Sequence, residues 1–232
     1  MIVLGETGTI PLVILLFGPP GSGKGTQARL IAEHLHIPAI STGDMLRSEA
    51  QAGSELGRIA QKIMSNGGLV SDDLINRMLE CRIMRVDCRH GFLLDGYPRT
   101  VQQAEFLDGL LAEKRLGPPI VIHLDVPCAA LVARLTSRRT CPKCGRIYNL
   151  LHQPPRMAGI CDVDGAELVT RKDDTEETAR ERLKTYDELT WPVIAHYRDA
   201  NYHLISGDRS PQYIFEAIQQ VLEPYMRAQA AN

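Results

Sequence analysis

The sequence predicts a three-layer α/β fold, an open parallel sheet with helices on both faces, and three observations carry that prediction. Short apolar runs recur at residues 12–17, 92–94, 120–126 and 202–205, and an uninterrupted run of this length reads as a strand buried on both faces, as in parallel sheets. Segments with helical spacing separate the runs, giving a β-then-α order. A glycine-rich loop follows the first run directly and opens a helix, and open parallel sheets bind ligands at that end of their strands.

Taken in chain order, the run at 12–17 is the first strand, and Ala28, Ile31, Ala32 and Leu35 follow it at i, i+3, i+4, i+7 spacing. Residues 41–70 interrupt the alternation with two short helical segments around Gly53 and stop at the Gly67-Gly68 breaker, which suits a small mobile helical flap. Ser71, Asp72 and Asp73 start a helix carrying Leu74, Ile75, Met78 and Leu79. After the strands at 92–94 and 120–126, the stretch 140–171 has cysteines, glycines, Pro142, Pro154 and Pro155 but no helical period, and reads as an insertion. The strand at 202–205 and a helix close the chain. The expected organisation is a core of residues 1–40, 71–137 and 173–232, a flap at 41–70 and a lid at 138–172.

With 232 residues, 44% apolar content and 26 basic against 28 acidic side chains, the chain has no global basic field, so any anion site must be local and no nucleic-acid partner is expected. No apolar run approaches the roughly 20 residues of a membrane span. Residues 1–10 include Glu6 and lack the basic start and small-residue cleavage site of a secretory leader, so the expected location is the cytoplasm. Of the six cysteines, Cys81, Cys88 and Cys128 stand alone and read as small buried hydrophobes. The other three cluster between 141 and 161, which points to metal more than to disulfides.

The loop Gly18-Pro19-Pro20-Gly21-Ser22-Gly23-Lys24-Gly25-Thr26 has the composition of a phosphate cradle. Its glycines let backbone N–H groups converge on phosphate oxygens, the helix N-terminus adds positive potential, and Lys24 reaches the outer phosphates. Gly25 stands where a magnesium-liganding Ser or Thr normally follows the lysine, so magnesium must be held differently. Asp95, at the end of the run at 92–94, is the carboxylate placed to hold it, through water; the competing reading has Asp95 capping the turn before Gly96.

Gly-Lys-Gly-Thr at 23–26, Ser41-Thr42-Gly43-Asp44-Met45-Leu46-Arg47, Asp95-Gly96-Tyr97-Pro98-Arg99-Thr100 and Thr170-Arg171-Lys172-Asp173-Asp174 occur in order at fitting distances, and together they resemble the adenylate kinase family from about residue 12 to residue 222. The resemblance implies magnesium-dependent transfer of the terminal phosphate of ATP to AMP, giving two ADP, by a monomer. It implies that Thr42, Arg47, Arg99 and Gln103 bind AMP, with Arg47 and Arg99 on its phosphate and Gln103 on its base, and that Gly68, Leu69, Val70 and Gly96 line that pocket. On the ATP side it implies Gly21, Ser22, Gly23, Lys24, Gly25, Thr26, Arg134 and Arg138, with the backbone near Arg209 on the adenine. Arg171 and Arg182 would reach the transferring phosphate, so that Lys24, Arg99, Arg134, Arg138, Arg171 and Arg182 form the catalytic set. The abundance of arginine has its own logic, because a loose phosphoryl-transfer transition state spreads charge over oxygens that need fixed, forked donors. His34, His36 and His123 are read as structural, and Arg29, Arg58, Arg77, Arg82, Arg85 and Arg115 as solvated helix faces.

Within the insertion, Cys141-Pro142-Lys143-Cys144 forms a knuckle whose spacing Cys161-Asp162-Val163-Asp164 repeats with a carboxylate last. Cys141, Cys144, Cys161 and Asp164 therefore form a candidate structural zinc site with a closed tetrahedral shell. Asp162 and His152 are the alternatives for the fourth place, and a disulfide or a site that has lost its metal are the competing readings. For the whole chain, the alternatives are a kinase using another nucleoside monophosphate or GTP, and a nucleotide-sensing zinc ribbon that binds nucleic acid or protein.

Overall fold

The computed structural model describes residues 11–199 and 201–230. Within it, β1 (Leu12–Phe17), β2 (Ala39–Ser41), β3 (Gly91–Asp95), β4 (Ile120–Asp125) and β7 (Asn201–Ser206) form one five-stranded sheet in the order β2-β3-β1-β4-β7. Every pairing is parallel. The expectation about the leader in residues 1–10 lies outside the described residues. No helix among the described residues is long and apolar enough to cross a membrane.

Both faces of the sheet are buried, and the pleat sorts its side chains between them. Val13, Leu15, Phe17, Phe92, Leu94 and Val121 enter one core with residues of α4 (Asp72–Ile83), α5 (Val101–Glu113) and α8 (Trp191–His196). Ile14, Leu16, Leu93, Ile120 and Ile122 enter the other, against Ala28 and Ile31 of α1 (Lys24–Leu35) and Ile214 and Ile218 of α9 (Pro211–Ala230). The register aligns the strand ends, with Leu16 and Ser41 both opposite Asp95, and Asp125 opposite Ser206. Loops leaving these carboxyl ends therefore share one rim.

Two elements rise from that rim. The flap consists of α2 (Thr42–Gln51) and α3 (Glu55–Ser65), capped by Ser41 and Ser54 side chains that accept from Asp44 N and Gly57 N. The lid follows α6 (Cys128–Thr136) as an antiparallel pair, β5 (Arg138–Thr140) and β6 (Ile147–Asn149), continued by turns. The chain then re-enters the body through α7 (Glu176–Thr185) and a π-helical stretch, Tyr186–Thr190, that leads into α8.

Two expectations need correction. Cys81 and Cys128 are exposed, and of the three lone cysteines only Cys88 is buried: Cys81 falls on the outer face of α4, and Cys128 is the first residue of α6. His36 is not within a helix; it is the C-cap of α1 in the left-handed region, φ 54°. The three-residue pairing of β2 with β3 and the lid hairpin have no signature in the sequence, because strands of three residues carry too little period to register.

Candidate active site

A single cleft of about 1010 Å³ runs between flap, lid and sheet rim. Its walls include the loop residues Gly21, Ser22, Gly23, Lys24, Gly25 and Thr26, the flap residues Thr42, Arg47, Gly68, Leu69 and Val70, and Asp95, Gly96, Arg99 and Gln103. Arg134, Arg138, Arg171, Arg182 and Arg209 complete the lining, so every residue expected to touch nucleotide is gathered into one space.

In the phosphate loop, Gly21 and Gly23 adopt φ of 86° and 94°, the region in which L side chains are strained. Lys24 Nζ donates to Gly18 O at 2.6 Å and Pro19 O at 3.0 Å, which folds its amine back over the loop. Burial lowers its pKa from 10.5 to about 8, with Asp95 opposing and Arg99, Arg182 and Arg138 adding to the effect. Burial likewise pushes the Asp95 carboxyl up, against the pull of Lys24. At Gly25 a Cβ would meet Ile147 Cδ1, the terminal methyl of a lid side chain, at 2.9 Å and lie in ordinary contact with Asp95 Oδ2 at 3.6 Å. The lid's β6 and the magnesium-candidate carboxylate thus both lie close to the loop at this residue.

The arginines are tethered by buried carboxylates. Arg138 donates from Nε to Asp174 Oδ2 at 2.8 Å, and Arg182 donates to Asp173 Oδ2 at 2.9 Å and Asp174 Oδ1 at 3.2 Å. Asp174 is 3% exposed. Burial tends to raise the Asp173 carboxyl, and Arg182, Arg47, Arg138 and Arg171 together outweigh it and hold it below its ordinary value. Burial, reinforced by Arg138, lowers both Arg171 and Arg182 to about 10. Guanidiniums that depress one another are crowded, and crowded cations in a cleft are a basin for anions.

On the flap side, Arg47 donates from Nε to Asp44 Oδ1 at 3.0 Å, and Arg171 lies 3.6 Å from the same oxygen. Thr42 Oγ1 donates to Gly96 O at 2.9 Å, and Arg99 Nε donates to the same carbonyl at 2.8 Å. Arg134 faces the far end, where it donates to Gly207 O at 3.1 Å and Asp208 Oδ1 at 3.0 Å. It thus braces the turn that carries Arg209, whose guanidinium stacks over Tyr213 at 5.9 Å. Sequence reasoning missed Gln27, whose Nε2 donates to Pro211 O at 2.9 Å, and Ile147, because neither contact has a local signature.

The lid brings Cys141, Cys144, Cys161 and Asp164 together, their donor atoms all within 4.8 Å of one another. Cys144 Sγ and Cys161 Sγ are 3.6 Å apart, and Cys141 Sγ is 3.3 Å from Asp164 Oδ2. A tetrahedral zinc with sulfur at about 2.3 Å has ligand-to-ligand edges of about 3.6–3.8 Å, so the donor set and its spacing fit that ion. The two knuckles are built alike: Gly145 N and Gly165 N donate to Cys141 O and Cys161 O, each at 3.0 Å, with φ of 73° and 70°. Asp162 is outside the group, its Oδ1 accepting from Arg156 N at 2.9 Å, and His152 lines the nucleotide cleft instead. The six cysteines are all free thiols.

Fold and cleft define a P-loop α/β protein with a helical pair, α2 and α3, on one side of an arginine-lined cleft and the β5–β6 hairpin on the other. The adenylate kinase family model matches residues 16–202. The chain is 47% identical over 212 residues to an adenylate kinase of Anaeromyxobacter dehalogenans (strain 2CP-C), covering 91% of this chain and 99% of that protein. It is 46% identical over 211 residues to one of Oceanobacillus iheyensis, covering 90% and 98%. A third, from Thermosipho melanesiensis, is 50% identical over 190 residues, covering 81% and 88%. The chain belongs to the adenylate kinase family.

Proposed function

We infer that this chain is an adenylate kinase that transfers the terminal phosphate of ATP to AMP with magnesium, giving two ADP. The observation that carries the reading is the single cleft, which joins the phosphate loop at one end to Thr42, Arg99 and Gln103 at the other. ATP lies along residues 21–26 with its base toward Arg209, and AMP lies under the flap between Arg47, Arg99 and Gln103. Lys24, Arg138, Arg171 and Arg182 supply fixed positive charge where it develops on the moving phosphoryl group, and Arg134 supports the ATP side. No general base is needed, because a phosphate oxygen of the acceptor is already ionised near neutral pH. Among the described residues nothing donates a hydrogen bond to Asp95, so its oxygens are available to the water shell of magnesium, which when bound shields the phosphate charges. Lid closure excludes water that would otherwise accept the phosphate. The test is ADP formation from purified protein with ATP, AMP and magnesium: two ADP per AMP consumed is expected, and slow ATP hydrolysis unaffected by AMP would defeat the reading. By the family resemblance the protein works as a cytoplasmic monomer, and its near balance of charge gives no global basic field for nucleic acid.

Cys141, Cys144, Cys161 and Asp164 hold a structural zinc in this reading. Apart from the cysteines, the lid's buried cluster has Tyr148, with Ala166 and Leu168 packed against it, which is too little to fix a lid without a metal staple. Cys144→Ser is expected to lower zinc from one per chain to well below that and to reduce the melting temperature by roughly 5 °C. Elemental analysis that finds no zinc in wild-type protein prepared without chelator would remove the metal from the account.

A further inference from the structure

Gln103 is 2% exposed, yet it lines the AMP end of the cleft. Its amide is already engaged at both ends. Nε2 donates to Asp72 Oδ1 at 2.7 Å, and Oε1 accepts from Arg99 N at 2.8 Å. The other oxygen of Asp72 accepts from Thr100 Oγ1 at 2.6 Å, and Thr100 Oγ1 in turn accepts from Gln103 N at 3.2 Å. The orientation of a glutamine amide usually has to be chosen from its partners, and here the partners leave no choice. A carboxylate only accepts and a backbone N–H only donates, so Nε2 must face Asp72 and Oε1 must face Arg99 N. Turning the amide over would set two acceptors against each other and two donors against each other.

We propose that Asp72 is a positioning residue that selects the acceptor base by locking the Gln103 amide in one orientation. The proposal rests on the AMP-binding reading above. After these two bonds the amide keeps one N–H and one lone pair. Adenine offers a donor at its 6-amino group beside an acceptor at N1, which is complementary to an acceptor Oε1 beside a donor Nε2. A 6-oxopurine offers the reverse, an acceptor at O6 beside a donor at N1, and would need the inverted amide that Asp72 and Arg99 N oppose. Asp72 is not among the residues lining the cleft, so it acts through Gln103.

The experiment compares AMP with IMP, two acceptors of nearly the same size that differ in this hydrogen-bonding edge. The ratio of their kcat/KM values is measured with ATP and magnesium for the wild type, Asp72→Asn and Thr100→Val. Asparagine can donate as well as accept, which removes one of the two constraints on the Gln103 amide and leaves Arg99 N alone to oppose its inversion; Asp72→Asn is therefore expected to reduce the AMP:IMP ratio roughly tenfold. Thr100→Val, which frees one oxygen of Asp72, is expected to shift the ratio the same way by less. Both acceptors sample the same folded fraction, so partial unfolding cancels from the ratio. An unchanged ratio in both variants would overturn the proposal and leave Asp72 as a helix-start residue. Failure of the wild type to make ADP from AMP would instead defeat the underlying kinase reading, which separates the two outcomes.

Discussion

Lys24→Met is expected to lower kcat for phosphate transfer from ATP to AMP by roughly three orders of magnitude, the scale seen when a fixed charge is removed from a developing transition state. The methionine keeps the length of the side chain and removes only the cation. Among the described residues Lys24 Nζ makes no ion pair that holds elements together; its bonds are to the neighbouring carbonyls of Gly18 and Pro19 and to Ser22 Oγ. Folding stability at pH 7 should therefore hold or rise while activity collapses, a combination that separates a catalytic loss from an unfolded sample. The pH dependence sharpens the test. For protein without nucleotide, the folded pKa of Lys24 is about 8 against 10.5 for the ordinary group, so between these values the unfolded chain binds a proton that the folded chain does not. Stability contributed by this group then rises with pH across that window, and the penalty is fully present below it. Urea unfolding of nucleotide-free protein at pH 8 and pH 10 should show a gain in wild type that is smaller in Lys24→Met.

The second large effect is on stability. Asp174→Asn is expected to cost about 3 kcal/mol in chemical denaturation, because it removes one partner of a buried charge cluster and leaves the others uncompensated. The Asp174 side chain is fully buried, while its partners Arg138 and Arg182 are 13% and 19% exposed. By contrast, Arg180→Ala breaks a pair whose side chains are 66% and 65% exposed, and should change stability by about 0.5 kcal/mol or less. Activity should also fall in Asp174→Asn, since Arg138 and Arg182 lose the anchor that aims them. Equal small effects for the two substitutions would show that the cluster is solvated and that its arginines are held by something else.

Much of this was legible in the sequence because it is encoded locally. The strands of the core announced themselves as apolar runs: that at 12–17 matches Leu12–Phe17, that at 120–126 ends one residue earlier at Asp125, and those at 92–94 and 202–205 lie inside Gly91–Asp95 and Asn201–Ser206. The loop at 18–26 and the cysteine knuckles are likewise contiguous, so their chemistry shows in their spacing. What stayed hidden depends on distant segments meeting. Asp72 reads as one more acidic residue in the first turn of a helix, and only the approach of α4 to α5 gives its carboxylate two donors. Gly25 reads as a defect in a phosphate loop until Ile147 is seen above it. Arg134, more than 70 residues before them in the sequence, braces Gly207 and Asp208.

The matched hydrogen bonding of the two knuckles has a chemical consequence. Because Gly145 and Gly165 close equivalent turns on Cys141 and Cys161, residue 164 occupies the place in its turn that Cys144 occupies in the other. Exchanging the oxygen donor there for a sulfur alters the hardness of the ligand set without asking the backbone to move. In the zinc reading, the metal preference of this ligand set is thus adjustable at one side chain, independently of the cleft in which the nucleotides meet.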